Sequence, residues 1–190
     1  MYKKDNAESV YENSLTWLFK TFKEDDQSFR NSLLKKLHLK KGDRVLVTGC
    51  GLGDDLECIW PIIGSTGELF AQDISNLMIA ATAKRLSSKK ILSFNTYNLY
   101  LSVSNASMLP YPDAYFDAAY RFGGINLFSD MKSAIHEMAC VVKVGGEVLI
   151  GVEDFAPWLK ESEYEKQLFA IMHFGLWRRL LPCCLKLRRT

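Results

Sequence analysis

A run of branched apolar residues, Arg44–Thr48 (RVLVT), stops at Gly49 and gives way to Gly-Cys-Gly-Leu-Gly-Asp-Asp. This stretch constrains the fold more than any other. A short, branched, apolar run suits a strand buried on both faces, as in a parallel sheet. Three glycines at a spacing of two permit a tight turn and a close approach of backbone to another group. Asp54 then opens a helix to about Ile63, and it reads as the helix N-cap. Strand, glycine turn and helix form the unit from which open α/β sheets are built, and such sheets place their ligands at that turn.

The same alternation continues down the chain. Glu68 to Gln72 reads as a second strand and Ser75 to Leu86 as a helix. Residues 91–104 read as a third strand with a long lead-in, and Phe116 to Phe122 as a fourth. Asp130 opens a helix to about Val142, Gly145 and Gly146 make a turn, and Glu147 to Val152 is a fifth strand. Ahead of the first strand, residues 6–22 and 26–38 have helical spacing, with Trp17, Leu18, Phe19 and Phe22 on one face of the first. The pattern predicts a doubly wound, Rossmann-like, mostly parallel sheet with helices on both faces. It divides the chain into a helical cap (1–42), a ligand-binding domain (43–154) and a C-terminal helix with a basic tail (155–190).

Two aspartates narrow the ligand. A dinucleotide fingerprint wants glycine or alanine at position 54 and a bare helix N-terminus for the pyrophosphate. Here Asp54 and Asp55 occupy the positive end of the helix dipole, and they repel a diphosphate. They tolerate a ligand carrying a sulfonium and an ammonium group, which favours S-adenosylmethionine over NAD. No Gly-Lys-Ser/Thr follows, so a P-loop is excluded. Asp73 ends the second strand twenty residues after Gly53. A carboxylate there either accepts hydrogen bonds from both ribose hydroxyls or caps the helix starting near Ser75. In the first case Ile74 lies against the adenine face.

With these residues in place, the chain resembles the class I S-adenosylmethionine-dependent methyltransferases, specifically the small-molecule group called type 11. VLVTGCGLGDD (45–55) is similar to their first motif and AQDIS (71–75) to their second. NASMLPYPDAYFDAAY (105–120) resembles their stretch in which Asp-Ala precedes Leu-Pro-Phe-Pro and Phe-Asp. HEMACVVKVGGEVLI (136–150) resembles the segment before their fifth strand. The resemblance covers about 43–154. It implies that Gly49, Gly51 and Gly53 approach the methionine part and ribose, that Asp73 holds the ribose, and that Asn105 and Ala106 meet the adenine edge. Cys50, Ile74, Met78 and Arg121 complete the implied cofactor set, with Phe122 near the substrate.

The resemblance also implies in-line methyl transfer to a small-molecule acceptor, with S-adenosylhomocysteine as product. The cofactor carries the activated methyl, so the protein supplies alignment and a dry site. A general base is needed only if the nucleophile must lose a proton. Glu153 and Asp154, after the fifth strand, are the catalytic candidates; ordinary strand-end roles suit them too. The aromatic N-terminal helices, with Tyr11, Trp17 and Phe19, either lid the site, which implies an apolar acceptor, or pack on the sheet. Three positions depart from the family pattern: Val47 replaces an acid, Asn105 an aspartate and Val144 a proline. Strands six and seven of the family sheet are missing from the pattern after Glu153. The alternative reading is therefore a non-catalytic S-adenosylmethionine-binding or interaction subunit, or a truncated form completed by a partner.

Composition excludes other classes. The net charge of +2 is too small to imply nucleic acid. Arg178, Arg179, Lys186, Arg188 and Arg189 concentrate positive charge in a tail that reads as a solvated helix face rather than a membrane-surface contact. The five cysteines make no CxxC pair and the histidines add no zinc spacing, so no metal is expected. Reduced thiols, no signal-peptide h-region and no membrane-spanning apolar run point to a cytoplasmic protein, with oligomerisation open.

Overall fold

The structure is a computed structural model that describes residues 25–88 and 98–153, the backbone of 174–177, and separate helical positions between Ser9 and Lys20. The elements follow the predicted alternation. Helix α1 (Asp26–Leu34) starts at Asp25, whose carboxylate accepts from the Ser28 N–H at 2.8 Å. Strand β1 (Arg44–Thr48), helix α2 (Asp54–Ile63), strand β2 (Glu68–Asp73) and helix α3 (Asn76–Ser88) follow. Then come β3 (Leu99–Val103), β4 (Phe116–Phe122), a 3-10 turn (Ile125–Leu127), α4 (Met131–Val141), β5 (Val142–Glu153) and β6 (Phe174–Trp177).

The six strands lie in the order β3-β2-β1-β4-β5-β6. The first five are parallel, with Val47 opposite Ala71 on one side and Tyr120 on the other. Strand β6 runs antiparallel to β5. Successive side chains of β1 feed different layers. Val45 and Val47 pack with Leu34, Leu56, Ile59 and Leu86 beneath α1, α2 and α3. Leu46 packs with Phe70, Phe116, Met138 and Val141 beneath α4. Burial on both faces is why the strand reads as a continuous apolar run. Val47, where the family pattern has an acid, is thus a core residue.

The structure departs from expectation in three places. Helix α1 ends at Leu34 rather than 38, because Lys36 and Leu37 bond three residues back and the His38 N–H donates to the Glu147 carboxylate at 2.7 Å. Gly145 and Gly146 do not end a turn ahead of the fifth strand. They lie within β5, in a bulge where the register jumps from Phe116 opposite Val142 to Ala118 opposite Glu147. Val144 is 90% exposed in that bulge, so the position tolerates the exchange of proline for valine. Finally, one further strand, β6, stands where the sequence reading found none; at four residues it is too short to show a periodicity. The lead-in to β3 and, apart from the backbone of 174–177, the C-terminal helix and basic tail expected over 155–190 lie outside the described residues.

Helix α1 is tied to α2 by buried charge. Arg30 is only 3% exposed. It donates to Asp55 at 2.7 Å and to Asp26 at 2.5 Å, and Asp54 lies at 3.9 Å. Burial opposes its charge, but Asp55, Asp26 and Asp54 together hold the guanidinium firmly protonated. Tyr120, from the middle of the sheet, donates its hydroxyl to the same Asp55 oxygen at 3.0 Å. Removing one partner of such a group strands the other in a dry interior. Replacing Arg30 by methionine is expected to lower stability by about 3–5 kcal/mol in urea denaturation; a loss below about 1 kcal/mol would show that Asp55 does not need the pair.

Candidate functional site

The strand order reverses direction between β1 and β4. From β1 the chain crosses to β2 on one side, and from β4 to β5 on the other. Helices α2 and α3 cover one face and α4 the other. At such a reversal the connections part, and the carboxyl ends of the two strands border a crevice open to ligand.

The glycine turn forms one wall. Gly49, Gly51 and Gly53 have φ of 58°, 55° and 84°, a left-handed backbone that side chains resist. Three other elements hold this backbone. The Gly51 N–H donates to Asp73 Oδ2 at 3.1 Å, at the end of β2. Thr82 of α3 donates its hydroxyl to the Gly51 carbonyl at 2.6 Å. Arg121 at the end of β4 donates through Nη1 to the Thr48 carbonyl at 2.9 Å and to the Gly49 carbonyl. A methyl group at Gly49 would collide with that guanidinium, and one at Gly53 would meet Thr82 at 2.8 Å.

Gly49, Gly51, Asp73 and Arg121 are therefore brought together at β1, β2 and β4. Asp73 also accepts from the Ser75 N–H at 2.9 Å, so it orders the start of α3 as well. Its carbonyl accepts from Ser104 N–H at 3.1 Å, which draws the end of β3 to the same edge. Asn105 follows, with its side-chain oxygen accepting from Ser107 N–H at 3.0 Å, and Ala106 is buried beside it. Ile74 projects 67% exposed at the strand end, whereas Met78 is buried in the first turn of α3, 2% exposed. Glu153 ends β5 on the backbone of β6, and Asp154 lies outside the described residues.

Asp54 needs a correction. It is not the N-cap: Gly53 occupies that position and makes no side-chain cap bond. The Asp54 carboxylate instead pairs with Arg85 of α3 at 2.6 Å, and Asp55 pairs with Arg30. A glycine already left-handed can end the turn without a cap, which releases the first carboxylates of α2 to bind arginines. Asp26, Asp54, Asp55 and Glu57 still outnumber the two guanidiniums, so the field behind the turn stays negative. Sequence reasoning missed Arg30, Thr82 and Tyr120. Arg30 had a signal, standing four residues after Asp26 on one helix; Thr82 and Tyr120 had none.

One observation singles out this strand edge as the candidate site. Among the described residues, three buried side-chain atoms lack a hydrogen-bond partner: Gln72 Nε2, Ser104 Oγ and Arg121 Nε. They lie at the carboxyl ends of β2, β3 and β4. Buried polar atoms are normally paired, and unpaired ones grouped at one edge indicate a polar ligand. Exposed apolar side chains gather at the same edge: Ile74, Leu77, Val103, Met108, Leu127 and Met131.

Residues 21–177 match the ubiE/COQ5 methyltransferase family. The chain belongs to that family. Over 122 residues it is 30% identical to the ubiquinone/menaquinone biosynthesis C-methyltransferase UbiE of Francisella philomiragia, covering 64% of this chain and 47% of that protein. Over 156 residues it is 25% identical to the demethylmenaquinone methyltransferase of Halalkalibacterium halodurans, covering 82% of this chain and 58% of that one. The chain spans about half the length of the curated relatives it matches. A SAM-dependent methyltransferase from Aquifex aeolicus shares the fold, with a TM-score of 0.58 at 22% identity, over 73% of this chain and 75% of that one.

S-adenosylmethionine is the cofactor of this ubiE/COQ5-family fold, and the residues present fit it. The orphaned polar atoms offer a donor or acceptor at three strand ends, and the exposed apolar residues offer a surface for a flat base. The negative field behind the turn suits a sulfonium cation. Cys50, inside the turn, is buried in surroundings that oppose the thiolate. Burial, reinforced by the Asp73 charge, pushes its thiol up to about 12, and burial pushes Cys58 to about 11. Peptide mapping after iodoacetamide treatment at pH 8 is expected to find both unlabelled in the native chain and labelled in urea. Native labelling of Cys50 would place the turn in a more open arrangement.

Proposed function

We propose that this chain transfers the methyl group of S-adenosylmethionine to a small, largely apolar acceptor at the carboxyl edge of β1 and β4. The observation that carries this is the convergence of Asp73, the glycine turn and three orphaned polar atoms on one crevice. In this reading Gly49, Cys50, Gly51 and Gly53 line the methionine part, and Asp73 accepts from the ribose hydroxyls. Ile74 and Met78 flank the adenine, Asn105 and Ala106 meet its edge, and Arg121 faces the methionine end. When bound, the cofactor supplies an electrophilic methyl. The chain's part is to align it with the acceptor and keep water out.

The acceptor reading rests on two supports. The relatives are named for ubiquinone and menaquinone biosynthesis, which favours a hydroquinone-type ring. The apolar rim around the crevice suits such a ring. The helical cap (1–42) adds a second apolar surface: the Phe29 ring lies 5.4 Å from that of Phe122 at the end of β4, and Phe19 lies 5.9 Å from Phe29. The domain 43–154 then carries the cofactor, and the buried thiols suit a reducing, cytoplasmic setting.

Calorimetry is expected to show S-adenosylmethionine binding and no NAD binding, with Asp73→Ala weakening the former at least about tenfold, equivalent to one charge-assisted hydrogen bond. NAD binding without S-adenosylmethionine binding would overturn the reading. For the acceptor, release of S-adenosylhomocysteine with 1,4-naphthohydroquinone is the expected outcome; activity confined to polar acceptors would contradict the hydroquinone assignment.

A further inference from the structure

Arg121 is a buried charge with no carboxylate partner among the described residues. It is 8% exposed at the end of β4, with its guanidinium carbon 4.9 Å from the centre of the Phe128 ring. A methyl group on either Gly49 or Gly124 would run into the guanidinium, so two glycines make room for it. Both of its protein hydrogen bonds are made by Nη1, to the carbonyls of Thr48 and Gly49. The opposite edge, formed by Nε and Nη2, has no partner among the described residues, and Nε is fully buried. Among these residues no carboxylate stands within ion-pair distance.

The contrast with Arg30 is direct. That guanidinium is buried to a similar degree and takes two carboxylates at 2.5 and 2.7 Å. Two carbonyl dipoles and an aromatic face do not neutralise a full charge, and burying one without an anion is expensive. The free edge is also the one with the shape of a carboxylate: two parallel N–H groups that match its two oxygens. Arg121 stands beside the glycine turn, at the end of β4.

We propose that the Nε–Nη2 edge of Arg121 takes a carboxylate of the bound small molecules in bidentate fashion, either that of the cofactor's methionine part or one on the acceptor. This rests on the reading that the crevice holds S-adenosylmethionine. Arg121 is then a specificity-determining residue: it requires the anion and, through Nη1, ties its position to the turn.

The test uses the full chain and the variants Arg121→Met and Arg121→Lys, with thermal melting as the fold control. If the anion is the cofactor's, wild type binds S-adenosylmethionine about ten- to a hundredfold more tightly than decarboxylated S-adenosylmethionine, and Arg121→Met loses that discrimination. If it is the acceptor's, Arg121→Met keeps wild-type cofactor affinity but loses binding of benzoate to the S-adenosylhomocysteine-loaded chain. Arg121→Lys keeps the charge without the fork and falls between; should the methionine variant not fold, the lysine variant decides on the same comparisons. Wild-type cofactor affinity with no loss of benzoate binding, including the case where neither protein binds benzoate, overturns the proposal alone. Failure of the wild-type chain to bind S-adenosylmethionine overturns the underlying reading together with it.

Discussion

Three left-handed glycines after β1 expose backbone groups that the turn cannot pair within itself. Asp73 takes the Gly51 N–H, Thr82 caps the Gly51 carbonyl, and Arg121 caps the carbonyls of Thr48 and Gly49. Each comes from a different element, β2, α3 and β4. The turn thus fixes the relative positions of three strand ends, and the same residues that satisfy it form the walls of the crevice. On the proposed reading, structural and functional demands fall on one set of atoms. Asp73 illustrates this: two backbone N–H groups already bind its oxygens, and the remaining lone pairs are what a ribose would use.

Much of this was legible in the sequence. The strands were read within a residue or two at β1, β2 and β4, because burial on both faces leaves a continuous apolar run between turn residues. The glycine turn was legible because left-handed backbone selects glycine. Less legible were features set by contact between distant elements. Asp54 looks like a cap until Arg85, thirty-one residues on, is seen to pair with it. Arg121 was singled out as a ligand-facing residue from the resemblance, but its hold on Gly49 depends on the β1–β4 register. The bulge at 143–146 was read as a turn, since glycine pairs mark both and only strand pairing separates them.

The N-terminal segment enters the site indirectly. Helix α1 reaches the start of α2 through Arg30 and Asp55, and the end of β4 through Phe29 and Phe122. Helix α1 is held by a buried ion group, an aromatic contact and the packing of Leu34 against the sheet, and it contributes no strand. Glycine 151, opposite Phe122 on β5, leaves space that a side chain would take from that ring. Cap and sheet edge are thus packed against each other by residues close to the crevice.

The central claim is that the carboxyl ends of β1, β2 and β4 hold S-adenosylmethionine. A crystal structure of the chain grown with S-adenosylhomocysteine tests it most directly. The account predicts density in the crevice, with the ribose hydroxyls within hydrogen-bond distance of Asp73 and the methionine end beside Arg121. Ligand density elsewhere on the chain, or a crevice still lacking ligand at saturating concentration, would contradict it.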